Sequence, residues 1–168
     1  MELNVYLSGE IHTDWRDVIA KGVEGLPVTL AAPNTDHEKS DLCGVTILGA
    51  EDKPFWQDRK GASMNSIRTR KLIQDADVVV VRFGTQYRQW NAAFDAGFAV
   101  ANGKSLIVLH EESLTHALKE VDTAAQAVCE HPDQVVQVLK YLMDHYFSLV
   151  ATHRGCLNAG PSPLTRLD

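Results

Sequence analysis

The sequence predicts an α/β fold: a doubly wound, five-stranded parallel sheet of the flavodoxin-like, Rossmann-like kind, in strand order 2-1-3-4-5. Three observations carry that prediction. Residues 78–81 are an unbroken β-branched run, the composition of a strand buried on both faces. A helical segment over residues 90–102 is closed by Gly103, where a left-handed C-cap is common, and leads into a second apolar strand at 105–109. The rest of the chain repeats this strand–helix alternation, and a parallel crossover of that kind is almost always right-handed.

In chain order, residues 4–8 (NVYLS) are the first strand. Gly9 turns the chain, and Thr13 or Asp14 caps a helix running to about Glu24, where Gly25 and Pro27 stop it. Residues 28–31 are the second strand. The stretch 33–60 is polar, with scattered Gly, Asp and Pro and an apolar island at 45–48, and reads as a long loop of the functional or mobile kind. A helix over about 62–74 leads into the central unit. After Leu109 come a loop, a short helix and a weak last strand at 126–129. Pro132 opens a final helix with Val135, Val136, Leu139, Leu142 and Met143 on one face. The glycines and prolines after Thr152 read as irregular structure. The expected organisation is one domain over 1–150 and an irregular C-terminal tail over 151–168.

The composition narrows the function classes. A chain of 168 residues is one domain's worth, and 45% hydrophobic with 23% charged residues is ordinary for a soluble globular protein. A formal charge of −6 argues against a nucleic-acid polymer as partner. No apolar run approaches the roughly 20 residues that span a membrane, and the N-terminus starts in a strand pattern rather than a signal peptide. Three cysteines, Cys43, Cys129 and Cys156, are odd in number and far apart, which fits reduced thiols in a cytoplasm. Neither G-x-x-x-x-G-K-[ST] nor G-x-G-x-x-G occurs, and the seven histidines are scattered without ligand spacing. No metal and no cofactor are expected.

The strand order puts the topological switch point between strands one and three. Ser8, Gly9 and Glu10 then face residues 82–91 across the crevice where ligands bind. Asp95 stands out beyond that loop, because Ala92, Ala93, Ala96, Gly97, Ala99 and Ala101 make its helix narrow enough to approach the sheet closely. A carboxylate so placed can attack a sugar carbon or stabilise positive charge there. The alternative is an exposed helix-surface acid, the commoner fate of Asp. Asn91, one turn earlier, is placed to hold the Asp95 carboxylate. Tyr6 either sends its hydroxyl towards Asp95 or is plain core, and Glu10 is either a polar ligand contact or a loop charge. Trp15, Trp56 and Trp90 can stack a base, although each is more often packing. Asn65 and Arg68 share a helix face near the same edge and suit a hydroxyl or a phosphate, or are ordinary surface groups.

NVYLSGEIHTDW, NSIRTR, ADVVVVRFGTQYRQWNAAFDAGFAVANGK, HALKEVD and PDQVVQVLKYL together resemble the YtoQ family over roughly residues 1–147, with FG-x-x-Y-R-Q-W-N-x-A-F-D-A-G the most specific run. More distantly the chain is similar to the nucleoside 2-deoxyribosyltransferases, which carry a Tyr in an early VYLSG-like strand and an E-x-G-x-A-x-x-x-G-K helix. The resemblance implies that Asp95 falls on their nucleophilic Glu and Tyr6 on the Tyr that orients it. It also exposes departures. The acid is one methylene shorter, Arg82 and Phe83 stand where an acid often follows the third strand, and Gly84 and Thr85 lie ten residues or more before Asp95.

The implied activity is cleavage or exchange of the N-glycosidic bond of a (deoxy)nucleoside or nucleotide, with Asp95 and Tyr6 catalytic. Ser8, Gly9, Glu10, Asn65, Arg68, Trp90 and Asn91 would bind substrate, Glu10 at sugar hydroxyls and Arg68 at any phosphate. A non-catalytic nucleotide-binding module on the same fold is the alternative, with Arg82 and Arg88 suited to an anion. A flavodoxin-like electron carrier is a third. The resemblance further implies a homo-oligomer, at least a dimer, with a contact around Trp90 and Phe94.

Overall fold

The computed structural model describes residues 2–86 and 89–157. Its strands are β1 (Leu3–Gly9), β2 (Val28–Ala31), β3 (Val78–Phe83), β4 (Ser105–His110) and β5 (Ala127–Cys129). Its helices are α1 (Trp15–Gly22), α2 (His37–Leu48), α3 (Pro54–Asp75), α4 (Trp90–Ala101), α5 (Thr115–Ala124) and α6 (Pro132–Leu157), with a 3-10 turn at Glu112–Leu114. All strand pairs are parallel, in order β2-β1-β3-β4-β5. The predicted fold class holds.

Side-chain alternation divides the sheet into two apolar faces. Leu3, Val5 and Leu7 of β1, with Val78, Val80, Ile107 and Leu109, pack under Trp15 and Ile19 of α1 and Val135, Leu139 and Met143 of α6. Tyr6, Val79, Val81, Leu106 and Val108 face the other way, against Ile73 of α3 and Ala92, Ala96 and Ala99 of α4. The buried alanines are what let α4 lie close on β1, β3 and β4.

Two expectations need correction. Residues 33–60 are not a loop: α2 fills 37–48, and α3 begins at Pro54 rather than near 62. The glycines that read as turn signals serve helix packing instead. A Cβ on Gly44 would lie 2.4 Å from the Gly61 backbone nitrogen, and one on Gly61 would lie 2.8 Å from the Asp41 carbonyl oxygen. The helices cross backbone to backbone, and Asp36 caps α2 by accepting from the Lys39 N–H at 3.1 Å. The second correction is at the C-terminus, where α6 continues through Leu157, so residues 152–157 are helical. The rest of the expected irregular tail lies outside the described residues.

A smaller difference concerns the start of α1. Asp14 occupies its N-cap position, yet its side chain makes no capping bond. The Thr13 hydroxyl is spent on Glu10 instead.

Candidate active site

The site grows out of the last residues of β1. Tyr6 and Ser8 share the face covered by α3 and α4, because alternate residues of a strand point the same way. Gly9 then takes φ +99°, and a Cβ there would sit 2.1 Å from the Arg82 carbonyl oxygen. Both facts restrict the position to glycine. Gly9 pairs with Arg82, and the Glu10 N–H donates to the Arg82 carbonyl at 3.1 Å, so the ends of β1 and β3 meet at the switch point as the strand order required.

Asp95, in the second turn of α4, is partly buried over this edge. The Ser8 hydroxyl donates to its Oδ2 at 2.5 Å. Asn91, expected to hold this carboxylate, is exposed on the first turn of α4, and the short reach from β1 gives that role to Ser8. Burial raises the Asp95 pKa above the ordinary carboxylate value, and the Ser8 bond only partly offsets it. Among the described residues no cation pairs with it.

Tyr6 is 1% exposed, and its hydroxyl, expected to orient Asp95, hydrogen-bonds with Thr69 instead and feels Asp95 only through its charge. Burial pushes its pKa up to about 12, with the Asp95 charge acting in the same direction, against a hydrogen bond with Thr69 and the fields of Arg16 and Arg68. The phenol is therefore a neutral donor near neutral pH. Thr69 gave no signal in the sequence, since a Thr on a polar helix face is indistinguishable from surface.

Glu10 is the centre of a second cluster. Its carboxylate accepts from the His12 N–H, from Thr13 Oγ1 at 2.6 Å, and lies 3.5 Å from Arg82 Nε. Burial alone would raise its pKa, but Thr13, His12 and Arg82 together bring it below the usual value. Its carbonyl accepts from Trp15 Nε1 at 2.8 Å and Arg16 Nη1 at 2.6 Å. Arg16 also donates to the Leu7 and Gly9 carbonyls, each at 3.1 Å, and stacks 4.4 Å from the Trp15 ring centroid. Burial lowers the Arg16 pKa to about 10, against the attraction of Glu10. Trp15 is thus core and scaffold. Arg16 is a residue that sequence reasoning missed, since its targets are main-chain carbonyls, which no side-chain pattern betrays.

Above these clusters opens a cleft of about 830 Å³, within the range of small-molecule sites. Tyr6, Ser8, Gly9, Glu10, Asn65, Trp90, Asn91 and Asp95 all line it. Trp90 stands at the rim, 73% exposed. The Asn65 amide is engaged with the Ser40 carbonyl and hydroxyl at 2.9 and 3.1 Å, tying α3 to α2. Arg68 is exposed on α3 and is not part of the cleft wall, where Arg70 appears instead. Gln89, also missed, lines the cleft from the foot of α4, and its Oε1 accepts from the Gly84 N–H at 2.7 Å. Trp56 lies on the outer side of α3, in a separate shallow groove. Arg88 falls outside the described residues. Among the described residues no group of three or more His, Cys, Asp or Glu could hold a metal ion, and no helix is long and apolar enough to cross a membrane.

Comparison with known proteins places the chain in context. Residues 6–143 match the model of a family described as nucleoside 2-deoxyribosyltransferase YtoQ. A Bacillus subtilis (strain 168) protein named "Uncharacterized protein YtoQ" is 40% identical over 146 residues, covering 86% of this chain and 99% of that protein. The crystal structure of a conserved protein from Enterococcus faecalis V583 superposes with a TM-score of 0.58 at 13% identity, covering 84% of this chain and 99% of that one, and shares the fold. The structure of a 2-deoxyribosyltransferase from Bacillus psychrosaccharolyticus gives a TM-score of 0.49 at 16% identity, over 79% of this chain and 90% of that one.

Proposed function

The chain belongs to the nucleoside 2-deoxyribosyltransferase YtoQ family, and on that premise we propose that it cleaves or exchanges the N-glycosidic bond of a (deoxy)nucleoside or nucleotide, with Asp95 as nucleophile. One observation carries the reading: a partly buried carboxylate lines a cleft large enough for a nucleoside, oriented by Ser8 and with no cation paired to it among the described residues. Such a charge is poorly compensated at rest. Positive charge developing at a sugar C1′ compensates it, which is stabilisation realised in the transition state.

In the proposed step the Asp95 carboxylate adds to C1′ as the bond from C1′ to the base nitrogen breaks. The base leaves with that electron pair and takes up a proton. Water, or a second base, then attacks C1′, and the sugar ester to Asp95 breaks and restores the carboxylate. Ser8 holds one carboxylate oxygen so that the other can face the sugar. Tyr6, buried and protonated near neutral pH, shapes the field that Asp95 feels. Glu10, held by Thr13, His12 and Arg82, is a rigid acceptor for sugar hydroxyls.

The test is chromatography of free base after incubation with deoxynucleosides and their monophosphates, for the wild type and Asp95→Asn. Release that depends on Asp95 supports the reading. Nucleotide binding without release from any substrate favours a non-catalytic binding module instead. We also propose that the chain works as a homodimer or larger, because Trp90 and Phe94 are 73% and 63% exposed at the rim of the cleft. A light-scattering mass of one chain at micromolar concentration would overturn that.

A further inference from the structure

β1 outruns its neighbour β2. The two strands stay in register only as far as Tyr6 and Ala31. The Leu3 N–H donates to the Pro27 carbonyl at 3.0 Å, so the odd-numbered residues of β1 turn their backbone groups towards β2. The even-numbered ones turn towards β3: the Asn4 carbonyl accepts from the Asp77 N–H at 2.8 Å, and the Glu10 N–H donates to the Arg82 carbonyl at 3.1 Å. One step further, Leu7 would pair with Ala32, and its carbonyl would accept from the N–H of residue 33. That residue is Pro33, which has no N–H to give. Leu7 is 2% exposed, and a carbonyl so placed needs another donor.

Arg16 supplies it. Its Nε donates to the Leu7 carbonyl at 3.1 Å, its Nη2 to the Gly9 carbonyl at 3.1 Å and its Nη1 to the Glu10 carbonyl at 2.6 Å. The guanidinium lies against the Trp15 ring, and Trp15 Nε1 holds the same Glu10 carbonyl at 2.8 Å. A planar fork of donors reaches three carbonyls at once, which the single ammonium of a lysine does not. With a pKa of about 10, Arg16 stays charged at neutral pH. Two of its carbonyls flank Ser8, whose hydroxyl donates to Asp95 Oδ2 at 2.5 Å.

We propose that Arg16 is a positioning residue for the glycosidic step: it stands in for the strand that β1 lacks beyond Tyr6, and so holds the Ser8 hydroxyl on Asp95. This rests on the glycosidic reading above. Arg16 touches neither Ser8 Oγ nor Asp95. It acts through the backbone on both sides of Ser8, and a small displacement there moves the donor off the carboxylate.

The experiment uses the full chain as wild type, Arg16→Met, Arg16→Lys, Ser8→Ala and the Ser8→Ala/Arg16→Met double variant. Carbon-13 NMR follows the titration of the Asp95 carboxyl. Base release from 2′-deoxyinosine, 2′-deoxyadenosine, 2′-deoxyuridine and 2′-deoxycytidine is measured across pH. In Arg16→Met the Asp95 titration moves to higher pH, in the same direction as in Ser8→Ala, and the acid limb of the rate profile moves with it. The plateau rate falls roughly 10- to 100-fold. Arg16→Lys behaves like Arg16→Met, because the charge without the fork is not enough. In the double variant Asp95 titrates where it does in Ser8→Ala alone, since the two changes remove one interaction. A rate that falls while the Asp95 titration stays at its wild-type position marks a merely structural role and overturns the proposal, as do shifts that add in the double variant. The glycosidic reading survives that result if release still depends on Asp95. No release from any of the four deoxynucleosides overturns the glycosidic reading, and the titration still decides whether Arg16 sets Ser8 on Asp95. Should Arg16→Met fail to fold, Arg16→Lys, which keeps the stem and the charge, is read in its place; a wild-type titration and rate in that variant overturn the proposal.

Discussion

Ser8 Oγ lies 2.5 Å from Asp95 Oδ2, a contact between residues 87 positions apart in the chain. It joins the end of β1 to the second turn of α4 and is the hydrogen bond that counters the cost of burying the Asp95 charge. Removing it with Ser8→Ala raises the Asp95 pKa further. If Asp95 must be ionised to react, the acid limb of the pH–rate profile moves to higher pH, and the rate on the plateau falls roughly 10- to 100-fold. A profile unchanged in Ser8→Ala would contradict the pairing.

Asp95→Asn separates activity from stability. The amide keeps the shape and can still accept from Ser8, but it cannot act as nucleophile, so glycosidic cleavage falls by several orders of magnitude. Stability moves the other way at neutral pH. The folded pKa of Asp95 lies above its unfolded value, so its ionisation opposes folding: there is no penalty below the unfolded pKa, and the full penalty is in place once the pH has risen through the folded pKa. The melting temperature of Asp95→Asn therefore exceeds that of the wild type at neutral pH, and the gain shrinks as the pH falls towards the unfolded carboxylate range. Differential scanning calorimetry across pH checks both parts.

Tyr6→Phe removes an oriented hydroxyl and leaves the core volume intact. Its expected cost is about 10- to 1,000-fold in base release, less than that of Asp95→Asn. With a pKa of about 12, Tyr6 contributes no limb to the profile near neutrality. Absorbance titration of wild type against Tyr6→Phe should show the missing phenol ionising in strongly alkaline solution; a difference already present near pH 10, the ordinary tyrosine range, would refute the buried neutral phenol.

Glu10→Gln tests the second cluster. It removes the charge facing Arg82 Nε and weakens the bonds from His12 and Thr13, at a cost of about 1–3 kcal/mol measured by urea denaturation. The folded pKa of Glu10 is depressed, so its stabilisation is present above the unfolded pKa and is lost as the pH falls through the folded one. The difference between Glu10→Gln and wild type should therefore narrow in acid.

Gly9→Ala introduces a Cβ 2.1 Å from the Arg82 carbonyl oxygen at positive φ. Neither partner is a flexible side chain, so β1 and β3 must separate at the switch point. The expected loss exceeds roughly 3 kcal/mol, with precipitation or loss of the cooperative transition as the readout.

The strands were legible because a parallel sheet covered on both faces needs continuous β-branched and aliphatic runs. Val78–Val81 and Ser105–Leu109 could hardly be anything else, and β2 falls where the sequence set it. Tyr6, Ser8 and Asp95 meet because strand order follows from alternation and order fixes which loops are neighbours. The two helices of residues 37–75 were obscured by their own packing device: glycine marks a turn in one context and a close helix crossing in another, and one sequence does not separate them. The partners of Asp95 and Glu10 depend on side-chain reach across long separations, so the residues near the cleft could be named while their pairings could not.

The crossing at Gly44 and Gly61 has an architectural consequence. Ser40 and Asp41 bring α2 to the cleft, yet α2 packs chiefly on α3 and leaves Leu42, Ile47 and Leu48 largely exposed. That wall is hung on a neighbouring helix and not built into the sheet. A change in its length or composition can reshape the chamber while the five strands and the Ser8–Asp95 contact stay as they are. One side of the cleft is thus a panel carried by α3, outside the frame that holds Ser8 and Asp95 together.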